Sequence, residues 1–229
     1  MKQLGRKEYD QMVAGATVIS RDLYGDKVLK LPDGLMVKLF RLKRMLSSAI
    51  IRPYAKRFER GARRLRELNI PSVEVVDTFR VRSIGRDVVV YHPLEGEALW
   101  EALRYSDNKE TLLKLFSAFF AGLHDKGIYF RAIHFGNVLV LPGGEFGLID
   151  VSELRISPSS LSVRKRVRNF KPIFRYKEDR AAIMDFGFDL FLNSYIKNSS
   201  LSPNARQSFF RKVKSFQKTL RRTYVLHME

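Results

Sequence analysis

Near Pro93–Gly96 the hydrophobic pattern of the chain changes period, and no other feature limits its possible folds as much. Before that point apolar residues alternate. TVISRD, DKVLKL and GLMVKLF lie between residues 16 and 42, separated by the turn signals Gly25-Asp26 and Pro32-Asp33-Gly34. Such alternation predicts half-buried strands, and the short turns predict an antiparallel meander. SVEVVDTFRV and DVVVY, around Gly85-Arg86-Asp87, predict two further strands. One helix interrupts them. From Ser47 to Leu68, residues Tyr54, Phe58, Gly61 or Ala62, Leu65 and Leu68 recur on one stripe, and Asn69-Ile70-Pro71 ends it.

Beyond Gly96 the period is mainly helical: EALWEALRY, then a long amphipathic segment from Lys109 to Lys126 closed by Gly127. VLVL, PGGE and FGLID form an embedded hairpin signal, after which Pro158 and several serines open a loop. The reading is therefore α+β, with a β-rich lobe over residues 1–92 and a mainly helical lobe over 93–229.

A chain of 229 residues with 45% apolar content can bury a core in one compact unit or two small lobes. Lysine and arginine number 42 against 24 acidic residues, a net charge of +18, which predicts anionic partners. Cysteine is absent, which excludes a disulfide framework, thiolate chemistry and Cys-ligated zinc. Leu112–Leu123, the longest nearly apolar run, contains Lys114 and is too short to cross a bilayer. The N-terminal MKQLGRKEYDQ lacks the pattern of a secretory signal, so the expected location is the cytoplasm.

The chemistry concentrates in Leu123–Val140, LHDKGIYFRAIHFGNVLV, and in Leu148-Ile149-Asp150-Val151-Ser152 across the Gly143-Gly144 turn. An Asn amide oxygen and an Asp carboxylate on neighbouring segments suit magnesium, which takes oxygen ligands and retains positions for nucleotide phosphates. Asn137 and Asp150 are thus the candidate metal ligands. Upstream, Lys38 in MVKLF is a candidate phosphate-binding ammonium, with Glu59, or else Glu67, as its helix partner. Neither G-x-G-x-x-G nor G-x-x-x-x-G-K-[ST] occurs, which disfavours a Walker-type NTPase; Gly25-Asp26-Lys27 offers at most a short phosphate-covering turn. The literal Asp185-Phe186-Gly187 lies in the helical pattern AAIMDFGFDLF and reads as helix packing.

These stretches resemble the catalytic segment of kinase-like phosphotransferases, LH-x-x-GI-x-H-x-D-x-x-x-x-N-h-L-V, with Val88–Gly96 resembling the inter-lobe strand and hinge that reads adenine. Together with KLFRLKRMLSSAIIRPYAKRF, FRAIHFGNVLV, GLIDVSELR and RNFKPIFRYKEDR, the chain resembles the lipopolysaccharide core kinase family, nearest its InaA-like or toluene tolerance branch. The resemblance implies a bilobal protein kinase-like fold, ATP and Mg2+ as cofactors, and phosphorylation of a heptose or Kdo sugar of the lipopolysaccharide inner core. It implies roles for Lys38 and Glu59 at the nucleotide, Asn137 and Asp150 at the metal, and Asp150 in catalysis.

The pattern breaks at one place. The customary proton-accepting Asp is Ala132 and the His before it is Phe130, leaving His134 or Asp125 as displaced bases, or a pseudokinase that binds nucleotide without transfer. Eleven basic residues lie between Lys38 and Arg66, and a second cluster runs from Arg164 to Arg180. Such clusters suit an anionic glycolipid or the inner face of the inner membrane. Phe209, Val213, Phe216 and Leu220 make a stripe flanked by cations, which predicts either a helix on a membrane surface or one docked on the helical lobe. A nucleic-acid-binding protein is the remaining class, without a matching motif.

Overall fold

The computed structural model describes residues 1–42 and 53–225, with side chains in the last helix followed to Gln217. The fold is α+β, β-rich first and helical afterwards, as the change of period predicts. Two compact units are formed, one from Met1–Gly96 with Leu141–Leu154, the other from Glu97–Val140 with the chain from Arg155 onward.

The first unit holds a six-stranded sheet built from β1 (Lys2–Gln3), β2 (Thr17–Asp22), β3 (Gly25–Lys30), β4 (Met36–Arg41), β5 (Glu74–Val81) and β6 (Arg86–His92). Their spatial order is β1-β5-β6-β4-β3-β2, antiparallel except for the β1–β5 pair. One face buries Leu29, Val37, Leu39, Val88 and Val90 beneath Tyr9 of α1 (Arg6–Met12), a helix and strand pair that the sequence pattern does not announce. Because strand side chains alternate, Lys38 and Phe40 turn to the other face, where α2 (Tyr54–Glu67) lays its apolar stripe. The predicted start of that helix at Ser47, and Lys43, Arg44 and Arg52 of the basic cluster, lie outside the described residues.

The hairpin segment packs within this first unit, whereas the sequence pattern assigns it to the helical lobe. Ser72 is bridged to Leu148, donating its hydroxyl to the Leu148 carbonyl at 2.8 Å, while Leu148 N–H donates to Pro71. Gly147 permits this approach, since a Cβ there would stand 2.3 Å from Leu94 Cδ2.

In the second unit, β7 (Glu97–Ala98) leads into α3 (Leu99–Tyr105) and α4 (Lys109–Asp125), β8 (Ile128–Phe130) follows, and β9 (Val138–Val140) pairs antiparallel with β7. Four helices complete it: α5 (Val163–Phe170), α6 (Lys177–Phe186), α7 (Phe188–Lys197) and α8 (Pro203–Val225). Its core is aromatic. Phe116, Phe120, Phe170, Phe191 and Tyr195 pack at ring-centroid separations of 5.0 to 6.4 Å. Phe209 of α8 stacks on Tyr195 at 4.8 Å, and it and Val213 are fully buried. Phe209 and Val213 of the α8 stripe are thus spent on this core, which is the docked alternative of the two that the sequence pattern leaves open; Leu220 lies outside the described side chains.

Candidate functional site

Lys38 occupies a central strand and is only 7% exposed. Its Nζ meets Asp150 Oδ1 at 2.8 Å and lies 5.7 and 5.5 Å from the ring centres of Phe40 and Phe58. Burial holds the ammonium's pKa below the usual lysine value; the Asp150 carboxylate acts the other way and Lys27 adds to the lowering. The neighbouring Tyr91 hydroxyl is pushed up to about 12 by burial and by the Asp150 charge.

Asp150 itself stands in the left-handed region, φ 55° and ψ 45°, one of two non-glycine residues with positive φ among the described residues. Such a conformation persists only when its surroundings enforce it. Here α2 does so: Gly61 lies so close that a Cβ would meet the Val151 carbonyl oxygen at 2.7 Å. The helix thus grips the backbone just after Asp150. It contributes no carboxylate to Lys38, which corrects the expected role of Glu59. That side chain accepts from Lys56 at 2.6 Å, and Glu67 pairs with Arg63 and Arg64, because the stripe of α2 facing the sheet is Ala55, Phe58, Ala62 and Leu65.

In the second unit, the loop from Phe130 to Asn137 is fixed by its main chain. Asn169 of α5 accepts from Phe130 N–H at 3.1 Å and donates to the Phe130 carbonyl at 2.7 Å. Asp179 of α6 accepts from Phe135 N–H at 2.8 Å. Burial raises the Asp179 carboxyl to about 6, an effect the Phe135 N–H partly offsets. Asn137 donates its Nδ2 to the Ala132 carbonyl at 2.8 Å, which orients the amide and leaves Oδ1 as its acceptor atom. Beneath the loop, His124 joins Tyr195 and Asn169 at 2.6 and 3.2 Å, and burial drives its pKa to about 3, so the ring is neutral.

Both displaced bases are engaged in hydrogen bonds. His134 Nδ1 accepts from Gly136 N–H at 3.1 Å, which commits that lone pair to the loop backbone. Asp125 is held by buried Arg166 at 2.6 Å and by the amide and hydroxyl of Ser200 at 2.9 and 2.7 Å. Asp185 is exposed in the last turn of α6, as its helical pattern predicts. The Gly25-Asp26-Lys27 segment opens β3, and Asp26 pairs with Arg21 at 2.8 Å, so the tight turn is Leu23-Tyr24. Asn169, Asp179 and Arg166 were invisible to motif reading; each acts on a partner tens of residues away, and no local spacing announces it.

Each unit offers an oxygen of the kind that magnesium takes. Asp150 retains Oδ2 beyond its bond to Lys38, and Asn137 retains Oδ1. No group of three or more His, Cys, Asp or Glu side chains able to hold a metal occurs among the described residues. Magnesium bound to nucleotide needs only one or two protein oxygens, its remaining positions being filled by phosphate and water.

No family model and no curated protein matches the chain. Among solved structures it is similar to a divergent kinase lacking the glycine-rich loop, which regulates membrane ultrastructure of the Toxoplasma parasitophorous vacuole. The identity is 15% over 93% of this chain and 86% of that one, with a TM-score of 0.46. It is also similar to the bifunctional kinase-methyltransferase WbdD, at 14% identity over 81% of this chain and 46% of that one, with a TM-score of 0.45.

Proposed function

We propose that this chain is a kinase-like, ATP-dependent phosphotransferase whose acceptor is a sugar of the lipopolysaccharide inner core. The observation that carries the reading is the Lys38–Asp150 ion pair: a buried strand lysine joined at 2.8 Å to the aspartate that follows GLI. An ammonium so placed holds phosphate oxygens, and the carboxylate it releases becomes a metal ligand. Asn137 supplies the other oxygen, its amide already oriented by Ala132. Backbone groups of the segment after β6, His92–Gly96, take the adenine. Magnesium, when bound, neutralises phosphate charge and aligns the transferred group.

The exposed cations Arg164, Lys165, Arg168, Lys171 and Arg175 support an anionic acceptor or an anionic membrane surface as partner. No described helix is long and apolar enough to cross a membrane. Incubation with labelled ATP, magnesium and dephosphorylated core oligosaccharide tests the reading. The wild type transfers label, and Asp150→Ala and Asn137→Ala lose at least about a hundredfold in rate, as expected when a metal ligand of a phosphoryl-transfer site is removed.

One observation favours a second reading. Ala132 stands where the customary Asp would be and His134 Nδ1 is committed to Gly136 N–H, which suits a pseudokinase acting in envelope biosynthesis through nucleotide-dependent shape. In that case ATP raises the melting temperature while the oligosaccharide gains no label.

A further inference from the structure

Two rings, those of His134 and Trp100, approach Gly136 in the second unit, and a third packs on His134. The Gly136 N–H donates to the His134 ring, and the position of a Cβ on Gly136 would lie 3.0 Å from His134 Cε1 and 3.6 Å from Trp100 Cδ1. Tyr176 packs on His134 at 4.4 Å with the planes tilted by 40°. Trp100 is 39% and Tyr176 43% exposed and His134 is half-buried, unlike the fully buried aromatic residues of the core. Gly136 directly precedes Asn137, the residue assigned to the metal, in the chain.

A side chain at position 136 would lie against the His134 ring and crowd the indole, so the glycine keeps this aromatic wall open. Exposing three aromatic rings together is costly unless something covers them, and aromatic rings with a few polar groups are typical linings of small-molecule sites. Their faces are electronegative and take up the polarised C–H hydrogens of a saturated ring. His134 and Tyr176 pack on each other at 4.4 Å, which leaves no slot between them for a flat base. Arg104 lies over the Trp100 ring, 5.3 Å from its centre, and forms no ion pair among the described residues. It can meet an acidic substituent.

We propose that Trp100, His134 and Tyr176 form a stacking wall for the ring of a carbohydrate acceptor, with Arg104 facing an acidic group on that sugar. His134 thereby acts as a binding residue through its ring face. The wall's role as acceptor site rests on the phosphotransferase reading; its affinity for a sugar ring does not.

Trp100 is the only tryptophan in the chain, so its emission reports on the wall directly. Titration of the full chain with deacylated, dephosphorylated core oligosaccharide is expected to change that emission saturably. Tyr176→Ala, at an exposed position, is expected to weaken binding about tenfold, the loss of one stacking partner, whereas Tyr176→Phe retains it. The melting shift produced by ATP should be the same in both variants. The proposal is overturned if emission does not saturate, if Tyr176→Ala binds like wild type, or if adenosine and not the oligosaccharide produces the change. Sugar binding without phosphate transfer would leave the wall standing and remove the phosphotransferase reading; transfer with silent Trp100 emission would do the reverse.

Discussion

The two regions that carry the candidate chemistry are stabilised in opposite ways. Around Asp150, in the first unit, ionic side chains face each other inside an apolar cage of Phe40 and Phe58, and the support is packing of α2 on the backbone. Around Phe130–Asn137, in the second, buried polar side chains from α5 and α6 hold main-chain atoms. The first arrangement can exchange one anion for another, because Lys38 needs some anion and does not specify which. The second cannot relax without orphaning buried hydrogen-bonding groups, each costing about 1–3 kcal/mol.

Arg166→Ala tests the rigid half most severely. The guanidinium is fully buried and bonds Leu161, Tyr195 and Asp125 at 2.7, 3.1 and 2.6 Å. Removing it leaves a cavity and takes one partner each from Asp125 and Tyr195, which keep only Ser200 and His124, with an expected loss of about 3–5 kcal/mol in urea unfolding. A loss below about 1 kcal/mol, the range of exposed ion pairs, would erase the contrast with the first unit.

For the exchanging half, the expected asymmetry is within the pair. Asp150→Ala leaves a buried ammonium, whereas Lys38→Met leaves a carboxylate that is 34% exposed at its side chain and so partly solvated. Asp150→Ala is therefore expected to cost about 2 kcal/mol and Lys38→Met clearly less, with the double variant more stable than Asp150→Ala alone. Added ATP analogue should stabilise the wild type and neither single variant. Equal costs for the two single variants would show that the cage does not discriminate between the charges.

Much of the fold was legible because period 2 and period 3.6 are written locally: the meander, β5 and β6, α2 and α4 all follow from apolar spacing and turn residues. Lys38, Asn137 and Asp150 were legible as a motif with order and spacing. Glu59 was a candidate partner for Lys38 although the helical wheel sets it off the apolar stripe; Phe58 and Gly61 take the inward positions, and the carboxylate that meets Lys38 is Asp150, from a distant part of the chain. The assignment of Leu141–Leu154 to the first unit depended on contacts of Gly147 with Leu94 and Pro71, which no hydropathy pattern encodes. Asn169 and Asp179 looked like ordinary polar residues in basic helices. Only their burial against loop backbone distinguishes them.

Two buried groups of the second unit answer to pH with opposite signs. The Asp179 carboxyl is raised to about 6 in the folded chain against 3.8 for an ordinary aspartate, so across that interval the folded chain holds a proton that the unfolded chain has released. Stability contributed by that proton is complete below the unfolded value and is lost as pH rises through the folded one, by about 3 kcal/mol. His124 has the opposite sign: folded at about 3 against 6.5, it withholds a proton, so stability falls as pH drops through that window. Asp179→Asn keeps an oxygen for Phe135 N–H and removes the charge. It is expected to match wild type near pH 4 and to exceed it above pH 7, read from melting temperatures across the range. A variant less stable at every pH would mean that the ionised carboxylate itself is required.

The smallest expected effect belongs to the aspartate that does precede an aromatic and a glycine, in Asp185-Phe186-Gly187. Asp185 lies in the last turn of α6, exposed, where the negative end of the helix dipole faces a like charge and no basic residue of that turn compensates it. Asp185→Asn is therefore expected to stabilise by a few tenths to about 1 kcal/mol and to leave phosphate transfer and ATP-induced stabilisation unchanged. Asp150 differs in its surroundings: a left-handed backbone gripped by Gly61, a buried lysine on one oxygen and a second oxygen left over. If Asp185→Asn reduced transfer as strongly as Asp150→Ala, geometry would have lost to the literal motif, and the division of labour between the two regions would have to be redrawn around α6.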